Sequence, residues 1–298
     1  MTTKSGQDIR SLLSGLAEQV DRAIVACCDS MLDGPPVLLR AMRYSLEAGG
    51  KRFRPALVLL ASRACGGRDE RAMPPAVAME MVHTFSLIHD DLPAMDDDDL
   101  RRGKPTNHKM FGEAMAILAG DALVIFAFEL LVRSVSDGVT AARMVGELAQ
   151  ASGAAGMTGG QALDIEFDSQ AGEVATAERI HLLKTAALIR CSARLGGLAA
   201  GADPATVDGL GDYGRDLGLA FQIADDLLDL DGCEQDLGKR TGKDEAAGKP
   251  NYALLVGAEQ ARRRASALVD QAVERLRPLG PAAEPLALLA RFVIDRSH

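Results

Sequence analysis

The stretch Glu80-Met81-Val82-His83-Thr84-Phe85-Ser86-Leu87-Ile88-His89-Asp90-Asp91-Leu92-Pro93-Ala94-Met95-Asp96-Asp97-Asp98-Asp99-Leu100-Arg101-Arg102-Gly103 decides how the rest of the chain is read. It opens as an apolar run of the kind that forms a buried helix. It then turns abruptly acidic, with six aspartates within ten residues, and closes on two arginines and a glycine. Carboxylates crowded at the mouth of a core helix repel one another by roughly 4 kcal/mol per close pair at ~4 Å and intermediate dielectric. A cation seated among them removes that cost, and oxygen ligands without a cysteine or histidine cage suit Mg²⁺. The competing reading is a solvated acidic loop, the fate of most charge runs. On a continuous helix Asp90 and Asp96 would point about 120° apart. Pro93 breaks the helix and lets Asp96 return towards Asp90.

Working outward, the whole chain reads as helix. Residues 9–32 carry apolar side chains at helical spacing and stop at Asp33-Gly34-Pro35-Pro36. Further helices are expected over 37–47, from Lys51-Arg52-Phe53-Arg54-Pro55 to about 65, and over 76–91, with a loop from Gly66-Gly67 through Pro74-Pro75. Others follow over 113–136, 140–151, from Gln161, over 177–200, 204–230, 252–276 and 284–296. Convincing strand alternation is absent, as are long linkers and internal repeats. The expectation is an all-α fold, a single domain over residues 1–298, in which ten or more helices surround a central cavity.

Composition narrows the function. The 298 residues are 47% hydrophobic and 25% charged, a globular balance, and only 4% aromatic with no tryptophan. Low aromatic content with abundant Ala, Leu and Gly favours close-packed helices. A net charge of -9 argues against nucleic acid as a partner. Cys27, Cys28, Cys65, Cys191 and Cys233 have neither disulfide nor metal spacing and read as reduced thiols of a cytoplasmic protein. The N-terminus lacks an apolar signal-peptide core. The most apolar stretch, 115–132, is interrupted by Asp121 and Glu129 and reads as a core helix, so no transmembrane segment is expected.

A second acidic site lies at Phe221-Gln222-Ile223-Ala224-Asp225-Asp226-Leu227-Leu228-Asp229. Asp225 and Asp229 are one turn apart on one helix face, and Gln222 shares it. Such a pair is more often surface decoration, but this helix is apolar on almost every side, and buried carboxylates need a cation. Two acidic helix ends can face each other across a bundle cavity. Basic groups surround them in sequence: Lys51 and Arg54 after Gly49-Gly50, Arg101 and Arg102, and Lys184, Lys239 and Lys249. Cations beside a metal-loaded carboxylate site suit a polyanion such as diphosphate.

Five motifs now stand in order: Gly49-Gly50-Lys51-Arg52-Phe53-Arg54-Pro55; His83 with Asp90-Asp91 and Asp96 followed by Arg101-Arg102-Gly103; Gly159-Gly160-Gln161 with Asp164; Lys184-Thr185; and Phe221-Gln222 with Asp225-Asp226 and Asp229. Together they resemble the trans-isoprenyl diphosphate synthases, in particular the bacterial farnesyl diphosphate synthase group, from about residue 10 to the C-terminus. The resemblance implies a cytoplasmic, homodimeric prenyltransferase that joins isopentenyl diphosphate to dimethylallyl or geranyl diphosphate by ionisation, condensation and elimination. It implies three Mg²⁺ ions held by Asp90 and Asp96 and by Asp225, with Asp91 and Asp229 assisting. Arg101, Lys184, Lys239 and Lys249 would contact the allylic diphosphate, and Gly50, Lys51, Arg54, His83 and Arg102 would hold isopentenyl diphosphate. Gln222 and Thr185 would turn oxygen atoms towards the allylic cation. No protein general base is required, in keeping with the lack of any Ser/His/Asp or Cys/His constellation.

Product length then becomes a question of packing. Phe85, with Ser86 beside it, lies about a turn below Asp90 and is expected to floor the cavity near the length of a fifteen-carbon chain. A geranylgeranyl product is the alternative. A terpene cyclase would replace the second motif and lack Gly-Gly-Lys-x-x-Arg-Pro, and a non-catalytic synthase subunit would have lost one acidic motif. An EF-hand fails on spacing.

Overall fold

Helical periodicity along the sequence becomes helix almost throughout, and the differences are local and have physical causes. The computed structural model describes residues 4–30, 33–167, 173–235 and 251–295. The helices are α1 (Lys4–Asp29), α2 (Pro36–Leu46), α3 (Phe53–Ala64), α4 (Asp69–Asp90), α5 (Asn107–Phe111), α6 (Glu113–Ser134), α7 (Gly138–Ser152) and α8 (Met157–Ile165). Then come α9 (Val174–His181), a π-helical turn (Leu182–Ala186), α10 (Ala187–Ala200), α11 (Pro204–Gln235), α12 (Tyr252–Val256), α13 (Ala258–Arg275) and α14 (Glu284–Asp295).

At the centre are α3 and α10, each buried on nearly every side, as expected of helices apolar all round. They pack on each other, while α4 lies against both and α11 covers α10. Glycine sets the separations. A Cβ on Gly196 of α10 would stand 2.6 Å from the Ala61 Cβ of α3, and one on Gly214 of α11 would stand 2.7 Å from the Arg190 Cα. Neither approach is open to a larger residue.

Some expectations need correction. The segment containing Pro74 and Pro75 is the second turn of α4 and not a loop. The carbonyls left without a proline N–H belong to Glu70 and Arg71, both exposed, so water satisfies them. The glycine-rich segment expected to precede a helix at Gln161 is itself helical from Met157. The helix expected over 252–276 breaks at Gly257, whose φ of 86° no α-helix accommodates. Leu100–Arg101 and Lys104–Pro105 pair as a minimal antiparallel hairpin, too short to show alternation. Its loop residues Arg102 and Gly103 both have positive φ, 54° and 75°, the pattern of a type I′ turn. Tyr44 Oη donates to the Pro105 carbonyl and Asn107 Nδ2 to the Ala41 carbonyl, each at 2.8 Å, so α2 holds the hairpin in place.

The acidic end of α4 unwinds as Pro93 demands. After Asp91 the chain leaves the helix, and the Asp96 N–H returns to donate to the Asp90 carbonyl at 2.8 Å. Asp97 is turned into the left-handed region, φ 50°.

Arg52 ties the first four helices together. Its backbone is left-handed, φ 46°, at the start of α3, and its side chain is almost wholly buried. The guanidinium donates to Asp21 of α1 at 2.8 Å, to the Leu46 carbonyl at the end of α2 at 2.6 Å, and to Glu80 of α4 at 2.5 Å. Burial opposes its charge, and Glu80 and Asp21 more than restore it. Removing one partner from such a pair costs about 3–5 kcal/mol because the other charge stays buried and alone. Arg52→Met should therefore lower unfolding stability by about 3 kcal/mol in urea titration. Adding Glu80→Leu should recover most of that loss; a double variant no more stable than the single would count against the pair as the cause.

Candidate active site

Two cavities open between the helices and share a wall. The first, about 650 Å³, is bounded by Gly50, Lys51, Arg54, His83, Arg102 and the Phe221 ring. The second, about 260 Å³, is bounded by Phe85, Ser86, Asp90, Met157, Lys184 and Thr185. Arg54 and His83 line both. Residues from the start of α3, from the hairpin turn, from α4 and from the π-helical turn thus converge on one place.

The first cavity is strongly cationic. Gly49 and Gly50 have φ of 81° and 141°, and a Cβ at 50 would stand 2.6 Å from the Arg102 Cζ. The glycine pair therefore admits the Arg102 guanidinium, which donates to the Gly49 carbonyl. Burial pushes Arg54 and Arg102 below the ordinary arginine range. Burial, reinforced by Arg54, holds His83 well below the ordinary histidine range. His83 is therefore neutral, and its Nε2, 3.4 Å from Arg54 Nη1, faces the guanidinium as an acceptor. Arg54 Nε is buried without a partner, a donor available to an anion in the cavity. Phe53 and Phe221, rings 5.2 Å apart, form an apolar side.

The second cavity has acid at its upper edge. Burial pushes the Asp90 carboxyl up to about 6; Lys184 opposes the shift, and Asp96 and Asp91 add to it. Burial is thus the main obstacle to charge on Asp90, and an oxygen-liganded divalent ion beside it would offset that cost. Among the described residues no three acidic, histidine or cysteine side chains converge as a finished metal cage. A metal held by Asp90 and Asp96 would complete its shell from water and from an anionic ligand, the usual manner of Mg²⁺.

The other acids are engaged within the protein. Asp91, almost fully buried, accepts from Arg101 Nε at 2.6 Å. Burial raises its carboxyl and Arg101 opposes that shift. Asp164 accepts from Lys184 Nζ at 2.5 Å. Asp225 and Asp229 are half-buried on α11. Lys239 and Lys249 lie outside the described residues.

Lys184 and Thr185 owe their position to the π-helical turn between α9 and α10. The wider turn is the kind of irregularity found at functional sites. Gly160 of α8 lies against it, and a Cβ there would stand 2.6 Å from the Lys184 Cα. Thr185 Oγ1 donates to Gln222 Oε1 at 2.7 Å, and Gln222 Nε2 donates to Asp226 Oδ1 at 3.1 Å. Asp226 Oδ2 accepts from the Tyr252 N–H at 2.7 Å, and its carbonyl accepts from Asn251 Nδ2 at 3.2 Å. Asp226 thus fixes the Gln222 amide, with the oxygen turned to Thr185, and anchors the start of α12.

Sequence reasoning assigned no role to Arg52, Asp164 or Asp226. Glu80, an acid inside an apolar helical run, was the available signal for Arg52, since a buried carboxylate demands a partner. Helical spacing sets Asp226 apart only by leaving it off the face shared by Asp225 and Asp229, and it does not show that Asp226 is tied inward.

The polyprenyl synthetase family profile matches residues 35–278. A farnesyl diphosphate synthase of Geobacillus stearothermophilus is 44% identical over 270 residues, covering 90% of this chain and 91% of that one. A chloroplastic geranylgeranyl pyrophosphate synthase of Catharanthus roseus is 43% identical over 303 residues, covering 100% of this chain and 84% of that one. Among solved structures, an FPP/GFPP synthase of Zymomonas mobilis superposes with a TM-score of 0.84 at 38% identity, covering 97% of this chain and 99% of that one.

The Asp226 arrangement predicts a localised defect. Asp226→Ala should leave the Tyr252 amide unprotected in hydrogen exchange while amides of α3 keep their protection. Equal loss at both places would mean that the carboxylate serves the whole fold and not this junction.

Proposed function

The chain belongs to the polyprenyl synthetase family, and from that premise we propose that it condenses isopentenyl diphosphate with an allylic diphosphate to give farnesyl diphosphate. It is a prenyltransferase, and residues 1–298 form one synthase domain in this reading. The observation that carries the proposal is the shared wall. A cationic cavity and a cavity with acid at its edge meet at Arg54 and His83, as two diphosphate substrates reacting with each other require.

Gly50, Lys51, Arg54, His83 and Arg102 bind isopentenyl diphosphate, and the unpartnered Arg54 Nε and neutral His83 orient it. Asp90, Asp96 and Asp225 would hold Mg²⁺, with Asp91 and Asp229 supporting them. Bound Mg²⁺ supplies Lewis-acid stabilisation of the departing diphosphate. Lys184 and Arg101 leave Asp164 and Asp91 to contact the allylic diphosphate, adding fixed positive charge where negative charge develops. Thr185 and Gln222 Oε1 face the allylic carbons with oxygen lone pairs and no basic group. Protein walls exclude water, so the allylic cation meets the double bond of isopentenyl diphosphate and not a hydroxyl. The proton lost on elimination passes to the departing diphosphate. Phe85, with Ser86, closes the space in which the product grows. A geranylgeranyl product is the second reading, favoured by relatives such as the Catharanthus roseus enzyme.

The cytoplasm suits this chemistry and the thiols. Burial pushes Cys28 up to about 12 and raises Cys191 as well, so both stay protonated. A homodimer is supported by α6, expected to be a core helix yet only one-third buried along its most apolar window. Among the described residues α6 is the one helix long and apolar enough to cross a membrane by length and composition. Ile117, Leu118, Ile125 and Val132 stand exposed on it, but Asp121 and Glu129 are exposed too. A second copy can accommodate those carboxylates at an interface rim, whereas a bilayer interior cannot.

Incubation with labelled isopentenyl diphosphate, geranyl diphosphate and Mg²⁺ should yield a fifteen-carbon product by chromatography. EDTA should abolish turnover while leaving the helical circular dichroism unchanged; turnover that survives chelation would remove the metal from the reading. In sedimentation velocity the 31.4 kDa chain should run as a dimer. Ile125→Lys should run as a monomer, and an unchanged sedimentation coefficient would place the interface elsewhere.

A further inference from the structure

The wall of the second cavity between Asp90 and Phe85 contains a further ring. The Phe85 ring stands edge-on to the His89 imidazole, with centroids 5.3 Å apart and planes at 87°, and both line the cavity. The two residues are four apart on α4 and so are neighbours on one face. On its other side His89 meets α6. Its Nε2 lies 3.1 Å from the Ile117 carbonyl oxygen, within reach for an N–H to donate, and 3.9 Å from the Asp121 carboxylate. The place on α6 facing the ring is Gly120, buried in the middle of a helix. A Cβ there would stand 2.6 Å from His89 Cδ2, an overlap. Glycine in a helix interior is less favourable than alanine by about 1 kcal/mol. Here that loss leaves room for the imidazole.

We propose that His89 is a specificity-determining residue: wedged between Gly120 and Phe85, it sets how far the growing prenyl chain can descend. This rests on the proposed synthase reading and on Phe85 as the floor. Phe85 alone is a ring on a single-bond hinge and limits depth only if it cannot swing towards α6. The imidazole, edge-on to the Phe85 ring and in contact with the Ile117 carbonyl of α6, stands between that ring and α6. The contact to the Ile117 carbonyl fixes the imidazole in turn, which a purely apolar side chain of the same size would not achieve. An imidazole ring and an isoprene unit have equal numbers of heavy atoms, so removing one leaves space on the scale of the other.

The test reads product length with isopentenyl diphosphate in excess, for His89→Ala, His89→Gln, Gly120→Ala and Phe85→Ala beside wild type. Both His89 variants remove the ring and should raise the ratio of the next-longer product to the wild-type product by about tenfold or more, the lower end of what a pocket change of this size gives. Gly120→Ala pushes the ring towards Phe85 and should shift the distribution towards the shorter product. A wild-type distribution from both His89 variants, while Phe85→Ala lengthens the product, would leave the floor standing and overturn the wedge. Loss of turnover in both His89 variants and in Gly120→Ala also counts against it, because a wedge acts on chain length and not on ionisation. A wild-type protein that makes no prenyl product at all would instead overturn the synthase reading.

Discussion

The buried Arg52 guanidinium is the point on which the architecture of the site depends. It joins Asp21, the end of α2 and Glu80 through one planar group whose donors all point to different helices. A buried ion pair contributes little net stability compared with an apolar pair of the same volume, yet it tolerates only one geometry. That geometry fixes the turn from Gly49 to Arg52, and with it the exit directions of Lys51 and Arg54. The left-handed backbone at Arg52 costs about 1–2 kcal/mol, and the three acceptors hold it there. The cationic cavity is thus assembled by a cation that does not itself need to meet a ligand.

Charge in the second cavity is arranged differently. Lys184, which lines it, rests on Asp164, and Arg101, outside that lining, rests on Asp91, so two cations are held in ion pairs at or near it. Their carboxylate partners compete with any arriving diphosphate. A multiply charged anion with bound metal wins such a competition more easily than a monoanion does. In the proposed reaction, charge as well as shape would then select the substrate. The net charge of -9, which alone would argue against a polyanionic ligand, says little about the local field.

Much of this was legible in the sequence because it rests on short-range rules. Helical spacing located the helices, Pro93 announced the turn that returns Asp96 to Asp90, and the order of the five motifs identified the family. What escaped has a common cause. Pro74 and Pro75 mark a loop by sequence yet lie inside α4, because their cost depends on whether the freed carbonyls face water, which only tertiary structure decides. Gly257 and Gly196 are the same residue type, yet one ends a helix and the other lets two helices touch. Asp225 and Asp226 are adjacent and alike in sequence, and only the position of α12 shows that Asp226 faces inward. Lys239 and Lys249, expected at the allylic diphosphate, lie outside the described residues.

The π-helical turn at Leu182–Ala186 has a further meaning for how the chain tolerates length changes. A π turn is an α-helix with one residue inserted, and the widened turn takes up that residue, so the helix on either side keeps its facing. Deleting one residue there would close the turn to a regular α-helix while α9 and α10 kept their places against their neighbours. What would be lost is local: the widened backbone from which Lys184 and Thr185 project. A single lost codon in this segment would thus leave the helices standing and re-aim only the two side chains it carries.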